Sequence, residues 1–175
     1  MRSCVLAIES SWLLLEYDLV INLSLAPPAP DSPWRTTWEL LDVRDIQDLT
    51  DVDLHYRYFA VSVTFEIDGE VVIDPMRYVP LFDFLASAAW AQRQVEAGKN
   101  AAIGFTESLD RVRFTRRGDL VSVRASNSGI EAEVLADDLT EALGQVLGEG
   151  RRLFEQVNPE LLSVPLIRDL FAGDG

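Results

Sequence analysis

The sequence predicts an α+β fold: a mostly antiparallel curved sheet of about eight or nine strands, with two longer helices and a short C-terminal helix packed on one face. Three observations carry this. Apolar and polar residues alternate along 13–25 and 59–67, the period of a half-buried strand. The same parity survives through three successive segments between 111 and 136. Two stretches, 80–98 and 137–157, change to helical spacing and lie between and after the strand runs.

The elements follow in order. A short strand around Cys4–Ile8 turns at Ser10-Ser11 into a long one, where Leu13, Leu15, Tyr17, Leu19, Ile21, Leu23 and Leu25 share a face. Residues 26–33, APPAPDSP, hold four prolines and predict an exposed loop within a single domain spanning 1–175. TTWELLDV is a candidate third strand. YRYFAVSVTFEI is a firmer one, with Phe59, Val61, Val63, Phe65 and Ile67 on one side. Asp68-Gly69 signals a hairpin. Only a three-residue or bulged connection pairs Phe65 with Val71 or Ile73 and keeps that face apolar.

VPLFDFLASAAWAQRQVEAG predicts the first helix, with Pro80 in its first turn and Gly98 at its stop. Strands AIGFT, RVRFTR, LVSVRA and IEAEVLA come next. A two-residue turn at Arg117-Gly118 pairs Phe114 with Val121 and Val112 with Val123, and sets Arg111 opposite Arg124. The loop SNSG then pairs Val121 with Val134 and sets Arg124 beside Glu131, Ser122 beside Glu133. The second helix starts at DDLTEAL with Asp138 as cap, and its apolar face runs Leu139, Leu143, Val146, Leu147, Leu153, Phe154 and Val157 before Asn158-Pro159. The glycines of GQVLGEG predict close helix packing or a break near Gly148–Gly150. A last helix covers roughly Val164–Phe171.

Composition narrows the class. Across 175 residues, 48% are apolar and 25% charged, values of an ordinary globular domain. No stretch nears the roughly 18 consecutive apolar residues of a membrane helix. Glu9, Ser10 and Ser11 break the N-terminal apolar region before a signal-peptide pattern forms. One cysteine, Cys4, excludes an internal disulfide, and a cytoplasmic location is expected. The bases are fourteen arginines and one lysine, an actinobacterial type of bias. The net charge of −14 disfavours nucleic acid and anionic membranes and favours a basic protein partner. The arginine ribbon RVRFTRR reads as a solvated face that Glu131 and Glu133 partly neutralise.

No catalytic or phosphate-binding motif is present, and neither a metal nor another cofactor is expected. Cys4 with His55, the only imidazole, is a pair on paper only. The run DVRDIQDLTDVDLH spaces Asp42, Asp45, Asp48 and Asp51 by three, with Asp53 and His55 following. On a helix such a series fans around the axis and on a strand it alternates faces, so neither gathers the carboxylates on one ion. A solvated face, a partner-binding patch and a metal site remain as readings. Trp34 and Trp38 upstream and His55, Tyr56 and Tyr58 downstream favour the patch, because aromatic side chains beside acids suit Arg-rich surfaces.

The layout FEIDGE, VPLFDFLASAAW, LDRVRFTRRGDLVSVRAS and DDLTEALGQVLGEGRRLFEQVNPELLSVPLIRDLF, over about 58–171, resembles actinobacterial domain-of-unknown-function proteins. It is also similar to the small acidic immunity proteins of polymorphic toxin systems. That resemblance implies a non-enzymatic inhibitor that occludes a basic toxin. The partner-binding residues expected from the patch are Trp34, Trp38, Asp42, Asp45, Asp48, Asp51, Asp53 and His55. The alternative is a small-molecule binder or enzyme with a pocket between sheet and first helix, lined by Trp90, Phe82 and Phe84.

Overall fold

The structure, a computed structural model, describes residues 19–40, 43–74, 77–106 and 108–172. The strand expected at Cys4–Ile8, the first part of the 13–25 strand, Cys4 and Asp42 lie outside them. The fold is α+β, but the described strands form two four-stranded antiparallel sheets where one curved sheet was expected.

In the first sheet β1 (Ile21–Ala26) pairs along β2 (Ala60–Ile67), and β3 (Glu70–Ile73) and β4 (Tyr78–Pro80) share the other edge of β2. Parity is as expected: Leu23, Leu25, Val61, Val63, Phe65 and Ile67 are buried. Asp68 and Gly69 both take positive φ (52° and 80°), the geometry that a tight hairpin turn between right-twisted strands requires. The register slips between Phe65 and Glu66, so Phe65 faces Ile73 across a bulge. The odd-length or bulged connection is therefore present.

The candidate strand TTWELLDV is a correction. Pro33–Trp38 forms a 3₁₀ turn, with Ser32 Oγ accepting from Trp34 N and proline in its first turn. Leu40 then takes φ 49°. The 27–59 excursion closes back on β2: Phe59 N donates to Thr37 O, Ala60 N to Thr37 Oγ1, and the Trp38 indole N–H to Ala60 O at 2.7 Å. Phe59 itself holds φ 60°, a strained value for a bulky side chain. Full burial offsets it, edge-on to both Trp38 and Phe154.

Helix α1 (Leu81–Glu96) follows β4 directly. Pro80 ends the strand as the N-cap rather than entering the helix, and Gly98 takes φ 71° just past its end. The second sheet is a meander of β5 (Ala101–Phe105), β6 (Ser108–Arg117), β7 (Leu120–Ala125) and β8 (Glu131–Leu135). Its first hairpin is two residues out of the expected register. Gly118, not Arg117, takes the first turn position, with φ 64°, because that position favours a residue without a Cβ. Phe114 therefore faces Val123, Val112 faces Ala125, and Arg113, not Arg111, faces Arg124. The slip is even, so the buried face is unchanged. The second hairpin is as expected, with Val121 on Val134, Ser122 on Glu133 and Arg124 on Glu131.

Helix α2 (Ala136–Val157) is capped three residues earlier than expected. Leu135 is its N-cap, and Asp137 and Asp138 lie in the first turn, where carboxylates complement the helix dipole. The helix runs unbroken through its glycines. Gly150 marks a close approach, since a Cβ there would stand 2.4 Å from Leu85 Cδ1 of α1. A 3₁₀ turn, Pro159–Ser163, capped by Asn158, leads into α3 (Pro165–Phe171). One buried cluster joins both sheets to α1 and α2. No helix among the described residues is long and apolar enough to cross a membrane.

Candidate functional site

The aspartate run is built from helix caps. Asp45 Oδ1 accepts from Gln47 N at 2.9 Å and opens the short turn Ile46–Asp48. Thr50 and Asp53 form a reciprocal capping box: Thr50 N donates to Asp53 Oδ2 at 3.1 Å, and Asp53 N to Thr50 Oγ1 at 3.2 Å. Arg57 adds an ion pair to Asp53 at 3.2 Å. The hydrogen bonds from the Thr50 side chain and backbone, then Arg57, hold the Asp53 carboxyl below the ordinary aspartate range. Of the described aspartates in the run, Asp45 and Asp53 thus serve turn caps, while Asp48 and Asp51 face solvent.

The box opens a wide π-helical turn, Asp53–Arg57, which swings His55 inward. His55 Nδ1 lies 2.8 Å from Asp83 Oδ1, and Nε2 lies 3.4 Å from Asp51 Oδ1. Asp83, in the first turn of α1, is buried. It also accepts from Thr106 N at 3.0 Å and from Thr106 Oγ1. One turn along α1, Ser87 Oγ accepts from Gly104 N at 3.0 Å. The pair Asp83 and Ser87, at i and i+4, therefore satisfies alternate N–H groups on the free edge of β5, which would otherwise be unpaired. Each ring nitrogen of His55 therefore faces a carboxylate oxygen, Nδ1 that of the buried Asp83 and Nε2 that of the exposed Asp51.

Between α1 and β5 lies a cleft of about 450 Å³, lined in part by His55, Asp83, Ser87, Thr106, Ser108 and Arg111. Gly104, paired with Arg111, carries no side chain to fill it. The aromatic lining expected from the sequence is elsewhere: Phe82 and Phe84 are core residues and Trp90 is half-exposed.

The expected patch residues separate into two groups. Trp38 is not on the surface at all; it is 8% exposed, and its indole N–H is spent on Ala60. His55 is turned into the cleft and Asp53 into its cap. Trp34 is exposed and stacked on Tyr78 at 5.6 Å between centroids. Asp45, Asp48 and Asp51 face solvent. The run also exposes two apolar side chains, Val52 (59% exposed) and the expected patch aromatic Tyr56 (49%), four residues apart on the same turn.

The second sheet shows a further departure. Glu133 pairs with Arg117 at 3.4 Å, but Glu131, expected beside Arg124, accepts instead from Ser122 Oγ at 3.3 Å. No family model, curated protein or solved structure matches this chain.

Proposed function

We propose that this chain is a non-enzymatic protein-binding protein that recognises a basic partner, in the manner of an immunity-type inhibitor of a basic toxin. The observation that carries the reading is the exposed segment 48–56, which bears Asp48, Asp51, Val52 and Tyr56. Two exposed apolar side chains stand among solvent-facing carboxylates. An apolar anchor ringed by charge is the anatomy of a protein interface, where the anchor supplies affinity and the charges steer encounter. The net charge of −14 extends that steering field over the whole molecule. A genomic neighbour encoding a basic secreted protein is the expected partner source. Its product should bind this chain with salt-weakened affinity, and Tyr56→Ala should speed dissociation. A neighbourhood without such a gene, or binding indifferent to Tyr56→Ala, contradicts the reading.

A second reading rests on a different observation, the buried Asp83 that orients His55 beside a polar cleft. A buried carboxylate that fixes the orientation of an imidazole at the edge of a cleft is an arrangement that acid–base chemistry uses. In this reading the chain is a small-molecule-binding protein or enzyme. Calorimetric titration with small polar metabolites tests it. Binding lost in Gly104→Val, which fills the cleft without a backbone penalty, supports it; binding retained in that variant contradicts it.

A further inference from the structure

We infer that the solvent face of the second sheet is a binding site for a small oxyanion carrying two negative charges, held by Arg111, Arg113 and Arg124. This goes beyond the proposed protein-binding role and does not depend on it. In a chain of net charge −14, these three arginines line one groove of about 310 Å³ together with Ala125, Ser126 and Gly129. Arg113 and Arg124 are direct cross-strand partners. Like charges in that position repel, so an empty site is destabilised and a bound anion relieves it.

The carboxylates that should neutralise them are engaged elsewhere. Glu133 pairs with Arg117, and Glu131, in register with Arg124, turns to Ser122. Asp110, next to Arg111, is held by Ser108 and Arg77. Among the described residues none of the three guanidinium groups has an ion-pair partner.

One end of the groove is closed by the 126–129 turn, where Arg111 N donates to Ser126 Oγ at 2.9 Å and Ser126 N to Arg111 O at 2.9 Å. Arg111 also lines the cleft beside His55 and Asp83, so the groove and the cleft meet at its side chain. Guanidinium groups bind tetrahedral and planar oxyanions through paired N–H donors, which matches phosphate, pyrophosphate or a dicarboxylate. A volume near 310 Å³ stands at the small end of ligand pockets, about 300–1,000 Å³. A long nucleic acid is disfavoured, because the field of the whole molecule opposes accumulation of a polyanion.

The test is calorimetric titration at low ionic strength in an oxyanion-free buffer. Inorganic phosphate, pyrophosphate and malonate are separate arms, and a single-stranded dodecanucleotide is a fourth. At least one of the first three should bind one-to-one; which of them binds separates a phosphate from a carboxylate source. Arg113→Gln and Arg124→Gln should each weaken it about tenfold, the size expected for losing a charge-assisted contact. Arg152→Gln, on α2, should leave it unchanged. Without ligand, Arg113→Gln should raise Tm by about 1–2 °C through relief of the cross-strand repulsion. No binding of any small oxyanion, equal weakening by Arg152→Gln, tighter binding of the oligonucleotide, or a ligand-free Tm that falls in Arg113→Gln would each overturn the inference.

Discussion

The Asp53 carboxylate accepts two hydrogen bonds from Thr50 and faces the Arg57 guanidinium, and these contacts lower its pKa from about 3.8. A carboxyl lowered in the folded chain stabilises it above its unfolded value and loses that contribution as pH falls through the folded one. Asp53→Asn should therefore cost about 1 kcal/mol near neutral pH, the worth of a helix cap. The gap between the two proteins in urea denaturation should close as pH falls from about 5 to below 3. A gap independent of pH contradicts the account. At His55 the issue is a buried acceptor. His55→Leu leaves Asp83 short of one donor and should cost about 1–3 kcal/mol. His55→Asn, whose amide N–H₂ can stand near the former Nδ1, should recover part of it. Equal midpoints for the two variants would show that the Asp83 contact contributes nothing.

At the scale of elements, α1 and α2 meet where Gly150 lies against Leu85, and this contact decides the sign of two otherwise similar substitutions. Gly148→Ala meets nothing within 4 Å and gains helix propensity, so it should stabilise by about 0.5–1 kcal/mol. Gly150→Ala drives a Cβ into a fully buried leucine and should destabilise by about 1–3 kcal/mol despite the same propensity gain. Thermal denaturation of the pair is the check, and two shifts of the same sign contradict the packing. Both long helices and every described strand except β4, whose last residues were expected to open the first helix, were legible in the sequence, because burial on one face imposes period 2 or 3.6 and a hairpin slip of two residues leaves that period intact. The turn at Pro33–Trp38, where a strand was expected, carries its own signal in the sequence: Ser32 before Pro33 is an N-cap followed by a first-turn proline. Thr50 and Asp53 carried a similar cap signal inside the aspartate run.

At the scale of the whole molecule, three segments far apart in sequence make the sites, and that is where the sequence was silent. His55, Asp83 and Thr106 come from a π-turn, a helix start and a strand end. No local period relates such positions, so their meeting emerges only when α1 lies along the free edge of β5. The division into two sheets was hidden for the same reason, since strand parity is indifferent to which sheet a strand joins. Charge, by contrast, was legible: the surplus of acids falls in the first half, and the arginine ribbon in the second sheet. The proposed role uses the first of these surfaces. Asp48→Asn with Asp51→Asn keeps the chain length, both turns and the Asp45 and Asp53 caps while removing two exposed charges. The most direct test is stopped-flow association of this double variant with a basic secreted protein encoded by a neighbouring gene, the proposed partner, across a range of salt. At low salt the association rate should fall on the order of tenfold relative to the parent, and the two rates should merge as salt screens the field. Rates that coincide at every salt concentration would contradict recognition of a basic partner through this face.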